Sequence, residues 1–170
     1  MLTAKGKYSL KALVYLAKLK PEQVTQAVDI AKTNQIPKKF LDAILGELRN
    51  AGFVYSRKGP NGGYRLARAP SQIRVGHVIR AIDGPLAPIA CASRTAYQPC
   101  ADCRSVEACT VRLTMTKVRD AMSDILDQMT LADMLGSSTR GRGLRPRSVR
   151  RDVGYFLPSR AQARTRSRRP

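Results

Sequence analysis

The chain has 170 residues, 43% of them hydrophobic, and carries 31 Lys and Arg against 12 Asp and Glu, a net charge of +19. That length suits one ordinary domain with an attached helix or tail, and the charge points to nucleic acid before an anionic membrane or a solubilising arm. One histidine is too few for the usual acid–base arrays, and there is no phosphate loop, G-x-S-x-G or dinucleotide fingerprint, so neither an enzyme nor a small-molecule substrate is expected.

The opening MLTAKGKYSLKALVYLAKLK is broken by Lys11 and Lys18 and does not read as a secretory signal. No run approaches the ~20 apolar residues of a membrane span. A cytoplasmic protein is expected. Tyr8, Ala12, Leu16 and Leu19 share one helical face, with Leu13 beside them, predicting a helix of about four turns that ends before Pro21. Thr25 then precedes Val28, Ile30 and Ala31, a short second helix. After the NQIP turn Pro37 opens a third, because its missing N–H had no helical partner there. Phe40, Leu41, Ile44, Leu45 and Leu48 form its buried face, while Lys38, Lys39, Asp42, Ala43 and Arg49 lie off it. Gly52 fits a left-handed cap. Two short helices across a tight turn, the second with lysines at its start, describe a helix-turn-helix whose second helix enters the major groove.

FVYSRKGPNGGYRLA follows as strand, tight turn, strand. Phe53, Val54, Tyr55, Tyr64 and Leu66 favour extended structure, and the tip Gly59-Pro60-Asn61-Gly62-Gly63 supplies turn conformations. Arg57 and Lys58 on one arm and Arg65 on the other flank a tip small enough for its backbone to approach phosphates. The expected fold is therefore mainly α with a small β-hairpin: a winged helix-turn-helix, followed by a long helix.

All four cysteines fall between residues 91 and 109, in the pattern C-x8-C-x2-C-x5-C. Stable disulfides are rare in the cytosol, so clustered thiols indicate metal, cluster or redox chemistry. Soft thiolates select iron–sulfur clusters, zinc or cuprous copper, and four of them satisfy a [2Fe–2S] centre or a tetrahedral zinc equally. Next, Val111, Met115, Val118, Met122, Ile125 and Met129 recur at intervals of 4, 3, 4, 3 and 4, a heptad stripe widened by Leu126. It predicts a helical seam between two copies of the chain. Thr130 and Asp133 resemble a capping pair opening a last short turn. The tail from residue 136 holds eleven arginines and one acid without apolar periodicity, and is expected to be disordered.

TAKGKYSLKALVYLA, IPKKFLDAILGELRNAGFV and RKGPNGGYRLA resemble the iron–sulfur cluster winged-helix regulators of the IscR/NsrR/RirA type, over roughly residues 1–135. The resemblance implies a homodimeric bacterial repressor, cytoplasmic and associated with the nucleoid. It also implies a double-stranded operator read by Lys38, Lys39, Asp42 and Ala43 in the groove and by Lys58, Asn61 and Gly62, with Arg57 beside them, on the wing. It favours a [2Fe–2S] cluster sensing iron, redox state or nitric oxide, with zinc as the alternative cofactor. Cys103 and Cys109 match the family's last two ligands. The earlier ligand would fall at Tyr97, between Cys91 and Cys100, and the histidine ligand of some members is replaced by Arg112. His77, the one histidine, is read as an ordinary surface residue. Ligation by Cys91, Cys100, Cys103 and Cys109 is expected, with three thiolates and an outside ligand as fallback. The domains expected are residues 1–70 for DNA binding, 71–109 for a short helix and cluster loop, 110–135 for dimerisation and 136–170 for the tail. Two rival readings are a winged-helix regulator using structural zinc or a thiol–disulfide switch, and a nucleic-acid-coating protein driven by the tail.

Overall fold

The computed structural model describes residues 2–103 and 105–139, and these are mainly helical with one small antiparallel hairpin. Helices α1 (Ala4–Ala17), α2 (Ala27–Asn34) and α3 (Lys38–Asn50) precede strands β1 (Val54–Arg57) and β2 (Gly63–Leu66). Helices α4 (Val75–Asp83), α5 (Thr110–Gln128) and α6 (Leu131–Thr139) follow. None of the described helices is long and apolar enough to cross a membrane.

Helix α1 starts where the Thr3 hydroxyl accepts the Gly6 N–H at 3.1 Å. Thr3 is itself held by Asp83, whose carboxylate accepts its N–H at 2.9 Å and its hydroxyl at 2.5 Å, so the start of α1 is tied to the end of α4. Ala12, Leu13 and Leu16 of α1 meet Ile30 of α2 and Leu41, Ile44, Leu45 and Leu48 of α3 in one core, which Val78 and Leu131 close. Burying each leucine, isoleucine or valine among them stabilises the fold by about 1.5–3 kcal/mol. Phe40 departs from the expected buried face. It remains 38% exposed and packs edge-on against Tyr8 at a ring separation of 5.8 Å.

The second helix begins at Ala27, because the Thr25 backbone is occupied elsewhere: it exchanges hydrogen bonds of 3.1 and 2.8 Å with Tyr64 of β2. Pro37 stands one residue before the first helical position of α3. At the other end of α3 the N–H of Gly52 (φ 75°) bonds to the Arg49 carbonyl and that of Phe53 to Leu48, a Schellman closure that only a residue at ease in the left-handed region permits. The chain then enters β1, whose register pairs Val54 with Leu66, Tyr55 with Arg65, Ser56 with Tyr64 and Arg57 with Gly63.

Helix α5 leaves the cysteine-bearing stretch and returns to the core at its far end. There the Val75 N–H bonds to the Met129 carbonyl and the Leu131 N–H to Ile73. Thr130 and Asp133 form the predicted reciprocal cap: Asp133 accepts the Thr130 N–H at 2.8 Å and hydroxyl at 2.6 Å, and the Thr130 oxygen accepts the Asp133 N–H at 3.1 Å. Helix α6 runs on to Thr139, past residue 135 and into the segment expected to be tail. Residues 140–170, which hold the tail's arginines, lie outside the described residues.

Candidate metal centre and nucleic-acid interface

Lys38, Lys39, Asp42 and Ala43 lie together on the exposed first turns of α3. Lys38 Nζ donates to Asp42 Oδ2 at 2.7 Å, one helical turn on, so this pair presents a balanced charge beside Lys39. Arg57 ends β1, and Lys58, Pro60 and Asn61 make the exposed wing tip. The wing is set against the helix-turn-helix by the Thr25–Tyr64 exchange. Two of its glycines are there for space: a Cβ on Gly62 would collide with the Arg57 carbonyl, and one on Gly63 with the Thr25 carbonyl. Arg65 lies 5.2 Å above the Tyr55 ring across the hairpin, so its cation is engaged by the outer strand face.

The four thiols fall into a chain of neighbours. Cys91 is buried in a 3-10 turn at Ala90–Ala92 and faces Cys100; hydrogen bonding to Cys100, with burial second, pushes its thiol above the ordinary cysteine range. The sulfurs of Cys103 and Cys109 are 3.8 Å apart, and the hydrogen bond between them raises Cys103. Cys109 is the N-cap of α5, and the backbone N–H of Arg112 holds its thiol below the ordinary range. Cys100, Cys103 and the intervening Asp102 place their ligand atoms within 4.8 Å of one another. All four thiols are unbridged.

This donor set suits a thiophilic centre. A tetrahedral ion with ~2.3 Å metal–sulfur bonds spaces two thiolates by about 3.8 Å, the separation of Cys103 and Cys109. The compact donor group comprises Cys100, Asp102 and Cys103; Cys91 and Cys109 reach it through Cys100 and Cys103 respectively. Asp102 is exposed and offers a carboxylate oxygen to this group that the cysteine spacing alone does not reveal, although its place inside the C-x2-C pair is the signal that finds it.

The heptad stripe of α5 divides in two. Leu126 and Met129 pack on the core, whereas Val111, Val118 and Ile125 are 60%, 41% and 61% exposed, at intervals of seven along one side. Val118, Met122 and Leu126 also line an apolar cavity of about 350 Å³ with Ile79, Pro85 and Leu86. His77 is exposed on α4, away from the thiols in sequence and element.

The family profile described as Rrf2, iron-dependent transcriptional regulator, matches residues 2–137. An rrf2-like HTH-type transcriptional regulator of Rhodobacter capsulatus is 44% identical over 140 residues, covering 81% of this chain and 93% of that one. Among solved structures, CymR, the global cysteine regulator of B. subtilis, superposes with a TM-score of 0.65 at 32% identity, over 80% of this chain and 96% of that one. IscR of T. potens superposes with a TM-score of 0.63 at 28% identity, covering 85% and 92%.

Proposed function

Because the chain belongs to the Rrf2 family of transcriptional regulators, and its relatives are regulators rather than enzymes, we propose that it is a homodimeric, operator-specific repressor governed by a thiolate-held [2Fe–2S] cluster. The observation that carries the cluster is the gathering of Cys91, Cys100, Cys103 and Cys109 directly before α5, with two sulfurs already at single-ion spacing. A bound cluster supplies covalent ties between loop segments and is lost to oxidation, nitric oxide or iron shortage. The protein residues do the rest. Cys109 caps α5, so order in the loop sets the start of that helix. The exposed Val111, Val118 and Ile125 side of α5 meets its copy across a two-fold axis. Two winged helices then reach half-sites about 34 Å apart, or a multiple of that. Lys38, Lys39, Asp42 and Ala43 address the major groove, and Arg57, Lys58, Asn61 and Gly62 the adjacent backbone and minor groove. The protein works in the cytoplasm, on the chromosome.

Anaerobic reconstitution with ferrous iron and sulfide tests the centre, followed by footprinting of cluster-loaded and cluster-free protein on DNA upstream of its own gene. Visible absorbance together with different footprints is the expected result. A colourless protein removes the cluster from the reading. The Cys103–Cys109 contact and the lowered Cys109 thiol also favour a second reading, in which zinc or a reversible disulfide takes the cluster's place. Stoichiometric zinc in protein purified without air, or a Cys103–Cys109 disulfide formed in air that changes the footprint, selects it.

A further inference from the structure

The backbone that carries Cys91 is completed by side chains of α5. In the 3-10 turn the Ile89 carbonyl accepts the Ala92 N–H at 3.1 Å, and the Ala90 carbonyl accepts the N–H groups of Ser93 at 3.1 Å and Gln98 at 3.4 Å. The next two carbonyls are taken by guanidinium groups: Arg112 Nε donates to Cys91 O at 3.0 Å, and Arg119 Nη1 donates to Ala92 O. Arg112 also reaches the Val106 carbonyl at 3.5 Å, so one side chain spans both ends of the cysteine loop. Asp120 binds Arg119 at 2.6 Å and Arg94, just beyond the turn, at 2.9 Å. The Arg119 side chain is only 11% exposed, so its hydrogen bonds are shielded from water and costly to leave unmade. Arg112 and Arg119 stand seven residues apart, about 10 Å along the helix, and converge on one turn of chain.

We propose that Arg112 and Arg119 are positioning residues that make α5 follow the turn bearing Cys91, and so carry the state of the thiol centre into the helix expected to join two chains. The inference rests on the thiol-governed regulator proposed above. A clamp of this kind holds Cys91 and the start of α5 as one body, with Cys109 at the N-cap of the same helix. Disturbance of the thiols then shifts α5, whereas an α5 released from the turn no longer senses them. Lysine at 119 retains a donor for the Ala92 carbonyl; glutamine, shorter and neutral, does not reach it.

The test uses full-length chain carrying Arg112→Gln with Arg119→Gln, reconstituted anaerobically with ferrous iron and sulfide and titrated against the footprinted DNA. The expected result is parental absorbance per chain, with the affinity difference between loaded and cluster-free protein reduced by about tenfold. Arg119→Lys alone is expected to keep the parent's difference and Arg119→Gln alone to diminish it. A double variant with the full parental difference, or two single variants that behave alike, overturns the proposal. Where the double variant loses its colour, the two single variants decide. A second measurement needs no cluster. In reduced, cluster-free protein, Cys91 of the double variant should react with iodoacetamide several-fold faster than in the parent, followed by mass spectrometry, because local opening exposes it. Unchanged protection overturns the clamp. A parent that never takes up colour defeats the cluster reading alone, and the alkylation rates then decide the clamp.

Discussion

Gly63 lies where the wing touches the helix-turn-helix, and its missing side chain is what lets the Tyr64 and Thr25 backbones exchange hydrogen bonds. Gly63→Ala pushes a methyl group into the Thr25 carbonyl, which costs roughly 1–3 kcal/mol by overpacking or swings the wing away. The core helices do not depend on that contact. The expected outcome is an operator affinity lower by about tenfold or more, since each 1.4 kcal/mol is tenfold, with an unchanged far-ultraviolet circular dichroism spectrum. Parental affinity in a mobility-shift titration would count against a wing held by this junction. Asp127 makes a second test at this scale. Arg80 donates to both its oxygens, at 2.6 and 2.8 Å, and holds its carboxyl below the ordinary carboxylate range. A depressed carboxylate contributes stability that is fully present above its unfolded pKa of about 3.9 and is lost as pH falls through the lower folded value. Asp127→Asn should therefore flatten the loss of thermal stability below about pH 4 while leaving its pH dependence between about 5 and 8 unchanged. Both partners are about one-third exposed, which keeps the effect small. An acid limb as steep as the parent's would contradict it.

At the level of elements, the α5–α6 junction gives the clearest prediction. Thr130 and Asp133 satisfy each other's backbone donors, and Leu131 beside them is fully buried. Thr130→Ala removes one half of that cap and should lower unfolding stability by about 1 kcal/mol, measured in urea at neutral pH. A change within error would mean that the Ile73 and Val75 backbone bonds hold the junction unaided. This cap was legible because its donors and acceptors are three residues apart. The same locality made α1, α3 and the hairpin readable, since Leu41, Ile44, Leu45 and Leu48 carry a 3.6-residue period and Gly52 sits where a cap belongs. What the sequence hid depends on partners far along the chain. Thr25 looks like the start of a helix but spends its backbone on Tyr64, 39 residues later. Phe40 follows the period of a buried face but finds only the edge of Tyr8 to cover it. Of the thiol region, the four cysteines and their gathering could be read from spacing, while nothing in that spacing marks Arg112 and Arg119 as donors to the turn that carries Cys91. Their carbonyl partners at Cys91 and Ala92 are 21 and 27 residues away.

On the scale of the whole molecule, two features bear on partners, the apolar side of α5 and the excess of positive charge. The apolar side of α5 is exposed, and Ile125, 61% exposed, lies on it without supporting the core. Ile125→Glu should shift the assembly to monomer in sedimentation and abolish high-affinity operator binding, because two half-sites are no longer read together; a variant that stays dimeric would place the seam elsewhere. The net charge of the sequence divides almost evenly, with +10 in residues 136–170 and +9 in the remainder. Non-specific affinity follows the number of phosphates neutralised, whereas preference for one sequence follows groups that touch base edges. If Lys38, Lys39 and the wing carry recognition, the arginines beyond Thr139 add affinity to every DNA alike. A chain ending at Thr139 should then bind operator and random duplex more weakly in parallel. The slope of log affinity against log salt should fall by about 0.9 for each phosphate no longer neutralised, and the ratio of the two affinities should hold. A collapse of that ratio on truncation would move sequence recognition out of the winged helix and into the arginine-rich segment.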